Sequence, residues 1–132
     1  MLFVIAAIFC YDIWFYISHV LLHKYLYVYH AEHHKYIVPT FRDTYKGHLF
    51  EGPFQSLGVF VPCLVHSYTV VEIIVVVLFL NARGMMRHDQ RFSFITGDHH
   101  LMHHLHPKYN YGEKWIDYLV GTDFQVTVEK IT

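Results

Sequence analysis

The sequence predicts an all-α membrane protein, in which transmembrane or re-entrant helices carry a helical cap lined with histidines. Two observations lead to this prediction. Hydrophobic residues make up 54% of the 132-residue chain and are concentrated in two long stretches, while histidines recur at helical spacing. Thirteen histidines outnumber the ten lysines and arginines, and also the eleven acidic residues. Because a surface does not need so many imidazoles, they indicate chemistry or metal binding.

Charge and cysteine placement exclude several classes of protein. The formal net charge is -1 and the pI is about 6.9, so the chain has no basic stripe for phosphates and no nucleic-acid partner is expected. Cys10 and Cys63 lie inside apolar runs without CxxC or Cys/His spacing, which argues against a disulfide framework and against a zinc finger. The length predicts a single domain, 1–132.

The first apolar stretch runs from Leu2 to Ile17 and leads into His19, with Asp12 as its one charged residue. It lacks the basic start and small-residue cleavage site of a signal peptide, so we expect it to be retained as a membrane helix. An ionisable group inside an apolar run is costly, which makes Asp12 and, in the second stretch, Glu72 functional candidates by default. The sequence names no partner for either.

The second apolar stretch, from Phe54 to Leu80, is long enough for a bilayer crossing. A single crossing would separate the histidines before it from those after it. Basic residues flank it on both sides, so the positive-inside rule places both flanks in the cytosol. We therefore predict a re-entrant or shallow helical hairpin broken around Pro62 to Tyr68. The flanking basic residues are Lys24, Lys35, Arg42 and Lys46 before it and Arg83, Arg87 and Arg91 after it.

An HxxHH motif occurs twice, and an HxxxH pair precedes the first copy. On a helix, positions i, i+3 and i+4 share one face, so each triplet is expected to face a common point. A helix continuing from about Tyr16 through His34 would align five imidazoles in one stripe. The three clusters are His19 and His23, then His30, His33 and His34, then His100, His103 and His104. Eight imidazoles exceed the four ligands of one zinc ion, so two metal ions are predicted.

Imidazole suits zinc, copper, iron and nickel alike, so the ligands alone do not identify the metal. A dimetal centre beside lipid indicates attack on a C–H bond of an acyl or sterol chain with dioxygen. That chemistry needs a redox metal, and two iron ions are the prediction. The alternative is a non-catalytic lipid-binding or scaffold protein, stabilised by the same histidines around two closed zinc sites.

The motifs SHVLLH, YHAEHH and DHHLMHH, in this order, resemble those of the fatty acid hydroxylase and sterol desaturase superfamily. Two further segments are similar to family motifs: His48 and Glu51 match its H-x-x-E stretch, and the C-terminal part matches its closing N-Y-G and W-x-D-x-x-x-G-T stretches. The resemblance spans nearly the whole chain. The closing stretches comprise Asn110, Tyr111, Gly112, Trp115, Asp117, Gly121 and Thr122.

The resemblance implies a membrane-bound non-haem diiron enzyme that hydroxylates or desaturates a lipid. It also implies an endoplasmic reticulum or other internal membrane, a metal site facing the cytosol, and electrons from a separate protein of the cytochrome b5 or ferredoxin type or from its reductase. The eight motif histidines are then the ligands, with His88 and His48 as further ligands and Asn81 as the rival of His88. Family members usually carry another transmembrane hairpin upstream, which leaves a fragment or a minimal member as alternatives.

The remaining histidines and the acids have predicted places too. Three roles are consistent with the sequence for His99: a metal ligand, a hydrogen-bond donor to a neighbouring ligand, or an exposed side chain. His66 and His106 are not predicted as ligands. Metal-bound imidazoles usually donate their second N–H to a carboxylate or a carbonyl. The carboxylates in suitable positions are Glu32, Glu51, Asp89 and Asp98.

Overall fold

A computed structural model describes residues 2–124. All the regular elements in this part of the chain are helices, which confirms the predicted all-α class. The α-helices are α1 (Leu2–Lys24), α2 (Tyr27–His30), α3 (Glu51–Ser56), α4 (Val70–Arg87), α5 (Ser93–Thr96), α6 (His99–Leu105) and α7 (Lys114–Val120). Short 3₁₀ helices cover His33–Lys35, Phe41–Asp43, Leu57–Leu64 and Gln90–Phe92.

Helix α1 is apolar on every side, as expected of a helix that lies in lipid or in a core. Of the helices in the described part, it is the one long and apolar enough to cross a bilayer. One face, with Phe3 and Ala7, packs against Val76 and Leu80 of α4. The opposite face leaves residues such as Phe9 exposed. His19 and His23 occupy the last two turns of α1, at the end opposite the N-terminus.

The second apolar stretch is broken where the sequence predicts. Helix α3 and the 3₁₀ helix Leu57–Leu64 form its first arm, α4 forms its second, and residues 65–69 connect them. The first arm lies against α1 at Gly58, where an added Cβ would lie 2.5 Å from the Cβ of Trp14. The indole of Trp14 donates a 2.7 Å hydrogen bond to the carbonyl of Phe54. Glycine therefore permits close approach of the first arm to α1.

The two acids inside the apolar stretches have structural roles. Glu72 closes a capping box at the N-terminus of α4: its amide donates to the hydroxyl of Thr69, and its carboxylate accepts from the Thr69 amide. Buried Asp12 of α1 forms an ion pair with Arg83 of α4, which also lies 3.4 Å from Glu113. Both acids were functional candidates by default, and the structure gives each a structural role instead. Glu72 caps α4, and Asp12 links α1 to α4.

The predicted continuous helix from Tyr16 through His34 is wrong. Helix α1 ends at Lys24, and Leu26 has non-helical backbone angles of φ -123° and ψ 28°. On a straight helix, His19 and His34 would lie about 22 Å apart, because each residue rises ~1.5 Å. The break folds α2 back, so that the Nε2 atoms of His19 and His30 lie 2.9 Å apart.

Candidate metal centre

The structure brings nine of the ten predicted ligands together in two groups, and within each group the possible ligand atoms lie within 4.8 Å of one another. The groups are neighbours, since the rings of His33 and His34, one from each group, have centroids 5.8 Å apart. The first group comprises His19, His23, His30, His34 and His103. The second group comprises His33, His88, His100 and His104. These residues could hold metal ions, and ligation itself stays a prediction.

The two groups divide each HxxHH motif between them. In the first motif, His30 and His34 belong to the first group and His33 to the second; in the distal motif, His100 and His104 belong to the second group. The expectation that a whole triplet faces one point is therefore wrong. Residues four apart stack on one face of a helix, whereas adjacent residues point in different directions. An HH dipeptide is thus suited to serving two neighbouring ions.

The Nε2 atoms within each group lie close enough to share an ion. In the first group, the Nε2 of His23 lies 3.0 Å from that of His103 and 3.1 Å from that of His34. In the second group, the Nε2 of His88 lies 3.1 Å from that of His33 and 3.0 Å from that of His100. Nitrogens about 2.1 Å from a common ion and at right angles to each other would have about this spacing.

Backbone carbonyls orient four of these rings. His19 Nδ1 donates to the carbonyl of Tyr111 at 2.5 Å, and His103 Nδ1 to that of Tyr109 at 2.6 Å. His33 Nδ1 donates to the carbonyl of Lys46 at 3.2 Å, and His88 Nδ1 to that of Gly84 at 2.7 Å. A neutral imidazole that donates through Nδ1 has an unprotonated Nε2, which is the form that binds metal.

Burial favours the neutral, metal-binding form of the rings that lie outside α1. It lowers the pKa of His34, His88 and His103 to about 3 each, and neighbouring imidazoles or Arg87 contribute to the decrease. The pKa values of His30, His33, His100 and His104 are also lowered, mainly by burial. These imidazoles are therefore neutral at pH 7 without needing a metal to displace their protons.

Some ring nitrogens lack the partner that a buried polar atom normally has. His104 is buried, and neither of its ring nitrogens has a hydrogen-bond partner within the described residues. The Nδ1 atoms of His34 and His100 also lack one there. Leaving buried nitrogens unpaired costs free energy, and a bond to a metal ion would offset that cost for the ligating nitrogen.

Of the four carboxylates predicted to accept from a ligand, Glu51 contacts one. Its Oε1 lies 3.0 Å from the Nδ1 of His30, and burial raises the pKa of Glu51 to about 8. The prediction does not hold for Asp89, whose carboxylate accepts from Arg91 and from the amide of Phe41. Glu32 and Asp98 are exposed at the surface, away from the buried rings that the prediction assigned to them.

His48 lies outside both groups, although the sequence predicts it as a ligand. Its ring packs edge-on against Tyr29, and its Nδ1 accepts from the amide of Phe50. It is exposed at the surface, although the same segment places the carbonyl of Lys46 3.2 Å from Nδ1 of His33. The rival of His88, Asn81, donates to the carbonyl of Val77 and lies in neither group.

Sequence reasoning missed a second carboxylate near the centre. His99 joins neither group, and its Nε2 lies 3.0 Å from Oδ2 of the fully buried Asp117. Asp117 was noted as part of the closing stretch, but no spacing rule linked it to a histidine 18 positions earlier. His66 and His106 also lie outside both groups, stacked on Phe3 and Phe124.

A cavity of about 360 Å³ reaches the centre from the side of α4. Histidines of both groups line it, among them His19 and His88. Its other walls are largely apolar and come from α1, from both arms of the hairpin and from residues 44–49, which precede α3 and include His48. The apolar lining residues are Phe15, Leu49, Pro53, Val59, Phe60, Val77 and Leu80. Such a cavity can admit an apolar chain to the histidines.

Comparison with known proteins places this arrangement in a family. Over 102 residues the chain is 29% identical to the Delta(7)-sterol 5(6)-desaturase of Leptosphaeria maculans, covering 74% of the chain and 28% of that protein. Over 104 residues it is 32% identical to the enzyme of the same name from Eremothecium gossypii, covering 70% and 30% respectively. The chain thus matches under a third of the length of these relatives. No solved structure matches it. The fatty acid hydroxylase family model matches residues 4–122, and the chain therefore belongs to the fatty acid hydroxylase family.

Proposed function

We propose that the chain is the metal-binding part of a membrane-bound oxidoreductase that hydroxylates or desaturates a lipid with dioxygen, using two iron ions. One observation carries this proposal: two adjacent groups of buried imidazoles, with Nε2 atoms facing one another at 2.9–3.1 Å, border an apolar cavity. Facing unprotonated nitrogens repel one another, and a cation between them converts that repulsion into ligation.

In the first group, the number of ligands and their spacing favour iron over a closed zinc site. A structural zinc ion has four tetrahedral ligands, whose nitrogens would be about 3.3 Å apart at Zn–N distances of ~2.0–2.1 Å. The first group offers five imidazoles, and the Nε2 atom of His34 lies 3.0 Å from that of His30 and 3.1 Å from that of His103. Five ligands at near right angles suit an ion with more than four coordination positions.

The bound irons would supply the redox chemistry that activates dioxygen for oxidation of a C–H bond. The chain itself holds the ligand rings in the Nδ1-protonated form through carbonyls such as those of Tyr111 and Gly84. Phe15 and Leu80 line the cavity and give it an apolar wall beside the rings. The cavity would place an apolar chain against both groups, which restricts the reaction to the carbon atoms that reach them.

A lipid substrate is supported by the apolar cavity and by the names of the relatives, which are sterol desaturases. A volume of about 360 Å³ lies within the range of small-molecule sites, ~300–1,000 Å³. The substrate is accordingly a sterol or a fatty acyl lipid. We further propose that the chain, 1–132, is one domain and that electrons come from a separate protein such as cytochrome b5 or its reductase.

The proposed location is the endoplasmic reticulum or another internal membrane, with the metal centre facing the cytosol. Two observations support the orientation. The histidines of α1 occupy its last two turns, so the centre lies at one end of the candidate span. Lys24 ends α1, and Arg87 ends α4, as the positive-inside rule requires of cytosolic helix ends.

Metal analysis combined with lipid oxidation tests the proposal. Purified chain in lipid nanodiscs should bind two irons and oxidise a sterol or acyl lipid only with dioxygen and a reductant. His103→Ala removes a ligand of the first group and His33→Ala one of the second, so each should abolish turnover. His66→Ala is the matched control, since His66 is exposed, lies outside both groups and does not line the cavity, and it should keep both irons and the activity.

Three results would contradict the proposal. Activity in the absence of iron would exclude iron as the cofactor. Unchanged turnover in both His103→Ala and His33→Ala would remove these residues from the catalytic centre. Two tightly bound zinc ions without turnover, whatever the reductant, would instead favour the non-catalytic scaffold.

A further inference from the structure

One short turn orients ligands from two different helices. The carbonyl of Tyr109 accepts from Nδ1 of His103 in α6, and the carbonyl of Tyr111 accepts from Nδ1 of His19 in α1. Both rings belong to the first group. Asn110, between the two carbonyls, has a positive φ of 59°, which asparagine tolerates better than most residues. The left-handed residue therefore allows the carbonyls of two residues, two positions apart in sequence, to reach two rings.

The carboxylate of Asp117 holds this turn in place. It is fully buried and accepts from the amides of Tyr111 at 2.9 Å and Gly112 at 2.8 Å. The Thr122 hydroxyl donates to it at 2.7 Å, and His99 Nε2 lies 3.0 Å from it. Four groups around one carboxylate use its full accepting capacity. Asp117 is therefore the fixed point to which the turn is attached.

We propose that Asp117 is a positioning residue for the metal ion of the first group, acting through the turn and without touching the ion. The inference rests on the proposed metal binding by the two groups. By fixing the carbonyls, Asp117 sets the tautomer and orientation of His19 and His103. The second group is oriented elsewhere, since His33 donates to Lys46 and His88 to Gly84. The influence of Asp117 is thus selective for one of the two ions.

Asp117→Asn is the direct test, because it changes the charge and accepting capacity at constant shape. The amide group of asparagine cannot accept from both Tyr111 and Gly112 with separate atoms, so one backbone N–H loses its partner. The turn then moves relative to His19 and His103. Loss of such an outer partner lowers metal affinity by about 10–100-fold. We expect that decrease for the first ion, with the second ion unaffected.

Variants that keep only one of the two groups intact allow iron binding by each group to be measured separately. His104→Ala removes a ligand of the second group, so ferrous iron titrated anaerobically into that variant reports on the first group. His23→Ala removes a ligand of the first group, so titration of that variant reports on the second group. Adding Asp117→Asn should weaken iron binding in the His104→Ala background and leave it unchanged in the His23→Ala background. The readout is the iron dissociation constant from chelator competition, which requires no turnover.

Two further variants control for folding. Glu72→Gln changes another carboxylate that accepts from a backbone amide, at the N-terminus of α4, and should leave both dissociation constants unchanged. Thr122→Val removes one hydrogen-bond donor to Asp117 at nearly constant shape. It should weaken iron binding by the first group less than Asp117→Asn does. If Asp117→Asn does not fold, Thr122→Val carries the test in the same two backgrounds.

An equal loss of iron affinity in both backgrounds would overturn the inference, because it would show a general structural role for Asp117. Unchanged affinity in both backgrounds would overturn it as well, while leaving the two-ion proposal intact. Absence of iron binding by the unmodified chain would instead refute the proposed function, and the positioning role with it. The three failures are distinguishable from the same set of titrations.

Discussion

The Nε2 atoms of His33 and His88 lie 3.1 Å apart, although the two residues are separated by 55 positions. Each ring already donates through Nδ1, His33 to the carbonyl of Lys46 and His88 to that of Gly84. In the neutral rings both facing nitrogens are therefore unprotonated, and neither can donate to the other. The contact is repulsive until a cation lies between the two atoms.

Metal removal should therefore destabilise the protein. Binding of an ion to the folded state alone raises stability by mass action, and structural metal sites often supply folding free energy. We expect the Tm in detergent to fall when iron is removed by a chelator and to recover when iron is added back. The His48→Ala variant should behave in the same way, because its ring lies outside both groups. Identical Tm values with and without metal would argue against ligation.

Acidification should destabilise the metal-free protein. Burial lowers the pKa of His34, His88 and His103 to about 3, against 6.5 for an ordinary histidine. Between pH 6.5 and 3 the unfolded chain binds protons that the folded chain excludes, so the free energy of unfolding decreases as pH falls. The stabilisation is complete above pH 6.5 and is lost as pH falls toward 3.

Urea unfolding of the metal-free chain between pH 7.5 and 4.5 measures this dependence. The slope of unfolding free energy against pH should correspond to several protons, since several rings are buried together. His34→Ala should reduce the slope, whereas His48→Ala, whose ring is exposed, should leave it unchanged. A slope that His34→Ala does not alter would mean that this buried ring is not the source of the acid sensitivity.

The membership of the two groups could be predicted from the sequence only in part. Spacing at i and i+4 identifies residues that share a helix face, and the pairs His19 and His23, and His100 and His104, do lie together. The division of adjacent residues such as His103 and His104 between the two groups follows from helix geometry, but two sites must be assumed before it can be deduced. The prediction for His48 rests on the H-x-x-E resemblance and not on helical spacing to another histidine, and His48 is the one predicted ligand that lies outside both groups.

Tertiary contacts explain what the sequence left open in the fold. The break after Lys24 has no proline or glycine to signal it, and it brings the Nε2 of His30 to within 2.9 Å of that of His19. The partner of Asp12 lies 71 positions away, beyond any local rule. The role of Glu72, by contrast, was predictable, because Thr69 three residues earlier completes a capping-box pattern.

Replacing Gly58 with alanine should destabilise the packing of the hairpin on α1. The added Cβ would lie 2.5 Å from the Cβ of Trp14 and 2.8 Å from the carbonyl oxygen of Cys10, so the backbone must shift. Overpacking of this kind costs about 1–3 kcal/mol. Thermal unfolding should show a lower Tm for Gly58→Ala than for Gly52→Ala, since a Cβ at Gly52 meets no atom within 4 Å. Equal Tm values would show that the two segments do not pack this closely.

Narrowing the cavity should impair lipid oxidation without removing the metal. Val77 of α4 lines the cavity, whereas Val75 on the same helix does not, although both are partly exposed. Val77→Trp should displace the lipid chain from the histidines and lower kcat/KM by about 100-fold, since small displacements of a reacting group have effects of this size. Val75→Trp should retain near-normal turnover, and both variants should bind two irons. Iron analysis alongside oxygen-dependent lipid oxidation checks this pair. Normal turnover in Val77→Trp would mean that the substrate reaches the centre by another route.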